Sequence, residues 1–392
     1  MQETVQIENI EHLRDRLLHF IHNELLPFER EHEIDSEKEI PMEQIKWVRK
    51  RAKELGFYGI SLPKEAGGQA LSLKGLCVLK EELAKSGAAL WGHVLGEIGG
   101  PLRIGQMLKI FTPDQITRYV MPVINAEAGC CFALSEPGAG SDAHAIQTTA
   151  VREGDDYILH GKKHFISAAP YADWAIVMAK EIVEADGERV TAFIVEKQSE
   201  GRSGFELGNI QVPISGERST AELIFNQCRV PSTNILGQPG KGLMLGLSRI
   251  NENRASWGAT YLGVAQRLLD LSIDHAKQRV QFGRPIGDFQ AIQHMLAEMA
   301  TEIYAARCML YDVIEKIDHG EEVRGASSMV KLYSSEVANR VADKAVQIFG
   351  GQGLMKGHPV EKMYRDVRLF RILTGTSEIQ KNMIAKELLK KL

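Results

Sequence analysis

In the last third of the chain apolar residues recur at every third or fourth position. Leu262, Ala265, Leu269, Ile273 and Ala276 share one helical face, and Met295, Met299, Ile303, Ala306, Leu310 and Val313 share one in the next segment. A helix with one apolar face needs another element to cover it, so helices in series must pack on each other. A third helix is predicted from Ala326 to Phe349, with Val337, Val341, Ala345 and Ile348 inward, and the segment after Ser377 supplies a fourth. Short connections then predict a four-helix bundle over residues 237–392.

The period changes upstream. Residues 128–236 carry short β-type runs, "YILHG", "WAIVMA", "TAFIV" and "AELIF", separated by Gly, Asp and Ser clusters, which predicts a small antiparallel β-barrel or sandwich domain. Residues 1–127 read as a helical domain, with "EQIKWVRKRAKELGF" broken by the turn signals "LPKEAGG" and "FTPDQ". The expected fold is therefore mainly α with a β insert, and 392 residues suit more than one core.

Composition excludes several functions. A net charge of −4 gives no electrostatic footprint for nucleic acid or an anionic membrane. No run approaches the roughly 18 apolar residues of a membrane span. Five scattered cysteines do not form a disulfide framework, and the acidic start "MQETVQIENIE" is not a signal peptide, so a reducing, cytoplasmic setting is expected. The final "KKL" reads as a Lys-rich helix end.

Familiar site motifs fail on context. "EPGAGSDA" lacks the third glycine and the βαβ unit of a dinucleotide fingerprint, and "GQPGKG" lacks the Ser or Thr of a P-loop. No C-x-x-C or H-E-x-x-H is present, so no metal site is expected. The neighbours Cys130 and Cys131 should point to opposite faces of a strand as buried residues.

Four stretches remain that the fold alone does not require. "FALSEPGAGSD", from Phe132, runs a short strand into a turn of small and hydroxyl residues, where backbone can approach a flat or phosphate-bearing ligand. "GKKHFISAAPYADW", from Gly161, adds Phe165 and Ser167. "QRVQFGRPIGDFQ" combines Arg279 with Phe282 at a break between two helices, and "QIFGGQG", from Gln347, joins "RILTGTSEIQ". Ser377 and Gln380 have the spacing of a capping box, so a helix starts there with free N–H groups. Yet Leu373 to Thr376 holds no group that exchanges a proton near neutral pH.

In this order and domain setting, the four stretches resemble the acyl-CoA dehydrogenase family of flavoproteins, over essentially the whole chain. The resemblance implies FAD lying extended between the β-domain and the bundle of a homotetramer, a dimer of dimers. It implies flavin contacts at Phe132, Leu134, Ser135, Gly140 and Ser141, and at Phe165 and Ser167. Arg279, Gln281, Phe282, Gln347 and Gly351 match residues that reach the neighbouring subunit's cofactor, and Thr376 and Glu378 match the turn beside the flavin. Ser141 and Arg254 match positions near the pantetheine arm and the active-site wall. An acyl-CoA or acyl-carrier thioester is the implied substrate, and an electron-transfer flavoprotein the usual acceptor.

The family's reaction takes an α-proton onto a carboxylate base while a β-hydride passes to the flavin. Here the chain departs from the pattern. The usual Glu immediately before the Gly of "GTS" is Thr374, and the alternative position before the bundle arginine is Asn253. The Thr374 N–H can still polarise a thioester carbonyl, but a neutral hydroxyl is a very poor proton acceptor. Three accounts follow. The base is relocated, with His93 and Glu97 of "LWGHVLGEIGG" as candidates. Alternatively the chemistry differs, as in desulfinases of sulfinated acyl-CoAs, reduced-flavin monooxygenases or relatives acting on carrier-bound acyl groups. Or FAD is structural and the protein only binds.

Overall fold

The computed structural model describes residues 2–183, 187–201 and 203–390. In chain order the helices are α1 (Gln2–Phe20), α2 (Leu26–Glu31), α3 (Met42–Glu54), α4 (Leu73–Ser86), α5 (Trp91–Val94), α6 (Pro113–Gln115), α7 (Met121–Ile124), α8 (Gly242–Gln278), α9 (Gln290–Asp318), α10 (Arg324–Phe349), α11 (Pro359–Phe370) and α12 (Ser377–Leu389). Strands β1 (Cys130–Ala133), β2 (Thr149–Glu153), β3 (Asp156–Ser167), β4 (Trp174–Val183), β5 (Gly187–Glu196), β6 (Glu206–Ile210) and β7 (Thr220–Pro231) form one sheet, and β8 (Val280–Gln281) with β9 (Arg284–Pro285) forms a hairpin. Two compact units result. The first comprises Met1–His32, Ser72–Trp91 and Asn251–Leu392, the second Glu33–Leu71 and Gly92–Ile250.

In the first unit the three predicted stripes meet in one core, where Leu262, Leu269, Ile303, Leu310, Val337 and Val341 are buried together. Four helices do not complete it. α11 adds Val360, Met363, Val367 and Phe370 to the same core, a short stripe whose helical period is crowded by charged neighbours. α4 packs close to α8 because Gly263 has no side chain: a Cβ there would stand 2.3 Å from the Glu81 carbonyl oxygen. The start of α4 is fixed by the Ser72 hydroxyl and by the Asp318 carboxylate, which accepts from the N–H groups of Leu73 and Lys74 at 2.8 and 2.9 Å.

In the second unit β4 explains the run "WAIVMA". Ala175, Val177 and Ala179 enter one core with Cys131, Leu159 and Phe225, while Trp174, Ile176 and Met178 enter another with Cys130, Val123 and Ile194. A strand covered on both faces reads as a continuous apolar run. The same division places Cys130 and Cys131 on opposite faces, both buried.

The sheet runs β1-β4-β2-β3-β7-β6, with β5 on β4. It is mixed and not antiparallel as expected, because β4 pairs parallel with both β1 and β2. Parallel neighbours need a long crossover, and the chain between β1 and β4, which holds β2 and β3, provides one. Among the described residues no helix is long and apolar enough to cross a membrane.

Candidate active site

The first two motifs are joined by a buried ion pair. Lys163, on β3 and 0% exposed, donates to the Leu134 carbonyl oxygen at 3.0 Å and to Glu136 Oε1 at 2.6 Å. Glu136 also accepts from the N–H groups of Gln147 and Thr148, so one carboxylate closes the whole turn after β1. Burial pushes the Lys163 ammonium down to about 8, against the upward pull of Glu136. The His164 N–H donates to the Ser135 carbonyl at 2.9 Å and completes the seam.

This seam displays the predicted residues. The pairing of β3 with β7 slips between Lys163 and Ile166, and Phe165 takes φ +57° there and stands 65% exposed. Its N–H is held by Gln211 Oε1 at 2.7 Å. Ser135 and Ser167 are half-buried, Gly140 and Ser141 are exposed, and Leu134 is buried. A Cβ at Gly138 or Gly140 would meet nothing within 4 Å, so that backbone is open to a ligand. Phe132 is half-buried with the Arg249 guanidinium 4.7 Å over its ring. An aromatic face, hydroxyls and bare backbone suit the flat ring and polar chain of FAD.

The turn before α12 is held from inside the first unit. Thr374 takes φ +58° and Gly375 φ +92°. A β-branched residue in this region is strained and persists only where its surroundings fix it. Lys331 on α10, 0% exposed, donates to the Gly375 carbonyl at 2.7 Å. Gln380 Nε2 donates to the same oxygen at 2.9 Å and to the Thr374 carbonyl at 3.3 Å.

The predicted capping box does not form, and the helix is capped one residue earlier. The N-cap is Thr376, whose hydroxyl accepts from the Ile379 N–H, while the Ser377 hydroxyl donates to Glu336 at 2.9 Å and Gln380 serves the turn. Glu378, exposed in the first turn of α12, has its carboxyl lowered by its own N–H and then by the Thr376 hydroxyl.

Arg254 on α8 is buried beside this turn, and its Nη2 would lie 3.4 Å from a Cβ at Gly375. Asn253 precedes it, half-buried, its carbonyl accepting from the Ser256 hydroxyl. The other candidates for a base lie in the second unit. His93 and Glu97 are both buried, and burial, with Arg49 nearby, holds the His93 imidazole well below its ordinary range.

The third motif forms a two-residue hairpin, with Gln281 opposite Arg284. Phe282 and Gly283 take φ +51° and +80°, as a type I′ turn requires, and Phe282 is 94% exposed. His275 on α8 stacks on Phe349 at 4.1 Å, so Arg279, Gln281 and Phe282 share one end of the bundle with the exposed Gln347 and Gly351. Gln347 is sixteen residues beyond Lys331 on α10, which places that end about 24 Å from the Thr374 turn.

Lys331, Lys163 and Glu136 escape motif reading, and Gln380, expected in a capping box, holds the turn instead. For Lys331 a signal exists: it is in phase with Ala338, Val341 and Ala345 on the buried face of α10, where a lysine needs a reason.

Three domain models of one family match the chain in series: "Acyl-CoA dehydrogenase, N-terminal domain" over residues 8–127, "middle domain" over 131–228 and "C-terminal domain" over 240–389. The chain is 38% identical to 3-(aryl)acrylate reductase of Clostridium sporogenes, over 91% of this chain and 93% of that one. It is 38% identical to the caffeyl-CoA reductase-Etf complex subunit CarC of Acetobacterium woodii, over 92% and 93%. The crystal structure of an acyl-CoA dehydrogenase complexed with FAD from Bacillus anthracis superposes with a TM-score of 0.85 at 31% identity, covering 98% of this chain and 67% of that one. Sequence, fold and an open flavin-type surface agree, and the chain belongs to the acyl-CoA dehydrogenase family of FAD-dependent oxidoreductases acting on CH–CH groups.

Proposed function

We propose that this enzyme adds or removes hydrogen across the Cα–Cβ bond of an acyl-CoA thioester, with no carboxylate at either position where the family's base is expected. The observation that carries this reading is the likeness to an arylacrylate reductase and a caffeyl-CoA reductase subunit over nine-tenths of the chain. FAD supplies the redox-active ring when bound. Phe132, Leu134, Ser135, Gly140, Ser141, Phe165 and Ser167 would hold it, with Thr376 and Glu378 beside it.

The rest of the chemistry falls to side chains and backbone of this chain. Lys331 and Gln380 engage the carbonyls of Thr374 and Gly375, which leaves the Thr374 N–H to polarise the thioester carbonyl. The neutral Thr374 hydroxyl is too weak a base to take the α-proton. His93, whose pKa is depressed by burial, is a poor base, and Glu97 is the proposed carrier.

Arg279, Gln281, Phe282, Gln347 and Gly351 would serve the neighbouring subunit's flavin in a dimer of dimers, in line with their place at the far end of α10. An electron-transfer flavoprotein is the proposed electron partner, since one relative is named as part of such a complex. Five free cysteines support a reducing, cytoplasmic setting.

Two substitutions test the proton step. Glu97→Gln should lower turnover by about 10² to 10⁴, and Thr374→Glu in that background should restore part of it. Unchanged turnover in Glu97→Gln would remove Glu97 from the mechanism.

A further inference from the structure

One end of the bundle holds two histidine rings against a single phenylalanine. His275, in the last turn of α8, stacks on Phe349 with ring centroids 4.1 Å apart and 19° between the planes. His358, just before α11, meets the same ring edge-on at 4.9 Å, and its Nδ1 accepts from the Val360 N–H at 3.2 Å to cap that helix. Arg279 follows His275 by one turn: its N–H donates to the His275 carbonyl oxygen at 2.8 Å, and the residue is exposed.

Opposing influences meet at the His275 ring. The carbonyl end of a 37-residue helix favours a charged imidazolium. Partial burial opposes it, and so do the positive charges of Arg279 and of a protonated His358, which together hold the imidazole below its ordinary range. Phe349, the contribution of α10, is uncharged, and among the described residues no carboxylate is felt at the ring.

An anion arriving at Arg279 reverses that balance. It offsets the guanidinium and itself favours a charged neighbour, so the ring takes up a proton as the anion binds. Arg279, Gln281, Phe282, Gln347 and Gly351 are assigned above to the neighbouring subunit's FAD, and the diphosphate of FAD is such an anion.

We propose that His275 is a proton-linked member of this FAD site: the dinucleotide's diphosphate, bound at the Arg279 end of the bundle, charges the His275 ring, and the cofactor is held more tightly as pH falls. This rests on the reading that this end serves the neighbouring subunit's flavin.

The test is the release of FAD from the holoenzyme on dilution, read from flavin fluorescence at pH 6, 7 and 8 and constant ionic strength. FAD changes no charge of its own across this range. The dissociation constant should rise by on the order of fivefold from pH 6 to pH 8, and His275→Gln should lose most of that rise. His164, which stacks on Phe165 at the other flavin wall, is present in both proteins, so the difference between them belongs to His275. A merely structural role for the ring would shift the constant equally at every pH.

A wild-type constant that does not change with pH would overturn the linkage and leave FAD at this end standing. An undiminished pH dependence in His275→Gln would overturn it as well. Arg279→Gln checks the reading beneath, and release of FAD no easier in that variant would overturn both. If His275→Gln does not fold, His275→Phe keeps the stack on Phe349, cannot titrate, and decides by the same comparison.

Discussion

The Lys331 ammonium donates to the Gly375 carbonyl oxygen at 2.7 Å, and the turn it secures is the one in which Thr374 takes φ +58°. A buried charge on one helix thus fixes a strained residue at the start of another. The strain is a local cost, and such costs cluster where a backbone group must be aimed. Phe165 and Phe282, on the other predicted site stretches, share the same left-handed geometry.

Lys331 makes stability depend on pH. Burial first, and Arg254 next, push its pKa to about 8, below its ordinary 10.5. Between these values the unfolded chain binds the extra proton, so this group's contribution to stability rises with pH across the window, and below pH 8 the full cost of burying the charge is present. Urea unfolding of the wild type should gain relative to Lys331→Met from pH 8 to 10.5, by on the order of 3 kcal/mol at most. Parallel pH profiles of the two proteins would show that Lys331 does not titrate there.

Phe165 separates cofactor binding from stability. It is 65% exposed, so Phe165→Ala should leave the unfolding midpoint nearly unchanged, within about 0.5 kcal/mol. FAD should dissociate at least about tenfold more readily, read from flavin fluorescence on dilution, because an aromatic wall is lost. Tight FAD in Phe165→Ala would place the flavin elsewhere.

Lys163 and Glu136 behave in the opposite way. Both are buried, and Lys163→Met leaves Glu136 without its cation, so thermal and urea unfolding should show a loss of about 3 to 5 kcal/mol. The paired Lys163→Met and Glu136→Gln variant should recover part of that loss, since no lone charge remains. Additive losses would show that the two residues are not coupled.

Much of this was legible in sequence. The stripes through Leu262, Ile303 and Val341 lead directly to the observed core, because helical period and burial are the same statement. The parallel pairing of β4 was not legible, since a strand buried on both faces has no alternation to reveal its neighbours. At the site, Phe165 and Thr374 were visible as members of motifs, but their left-handed backbones were not. Lys331 and the Lys163–Glu136 pair act across separations of 44 and 27 residues that no local pattern encodes, and Gln380 reaches back to the turn where its spacing suggested a cap.

Phe282 tests assembly. At 94% exposed on a tight turn, it contributes little to the fold of one chain, and the proposed dimer of dimers would cover it. Light scattering of Phe282→Asp should show smaller species than the wild type with an unchanged circular dichroism spectrum. An unaltered mass would exclude this hairpin from the subunit contacts.

The most direct test is the visible spectrum of the FAD-loaded protein under anaerobic conditions, recorded while acyl-CoA and enoyl-CoA thioesters are added to oxidised and to chemically reduced enzyme. The account predicts that at least one saturated thioester bleaches the oxidised flavin band or one unsaturated thioester restores it. A flavin that stays unchanged in both states with every thioester would contradict it.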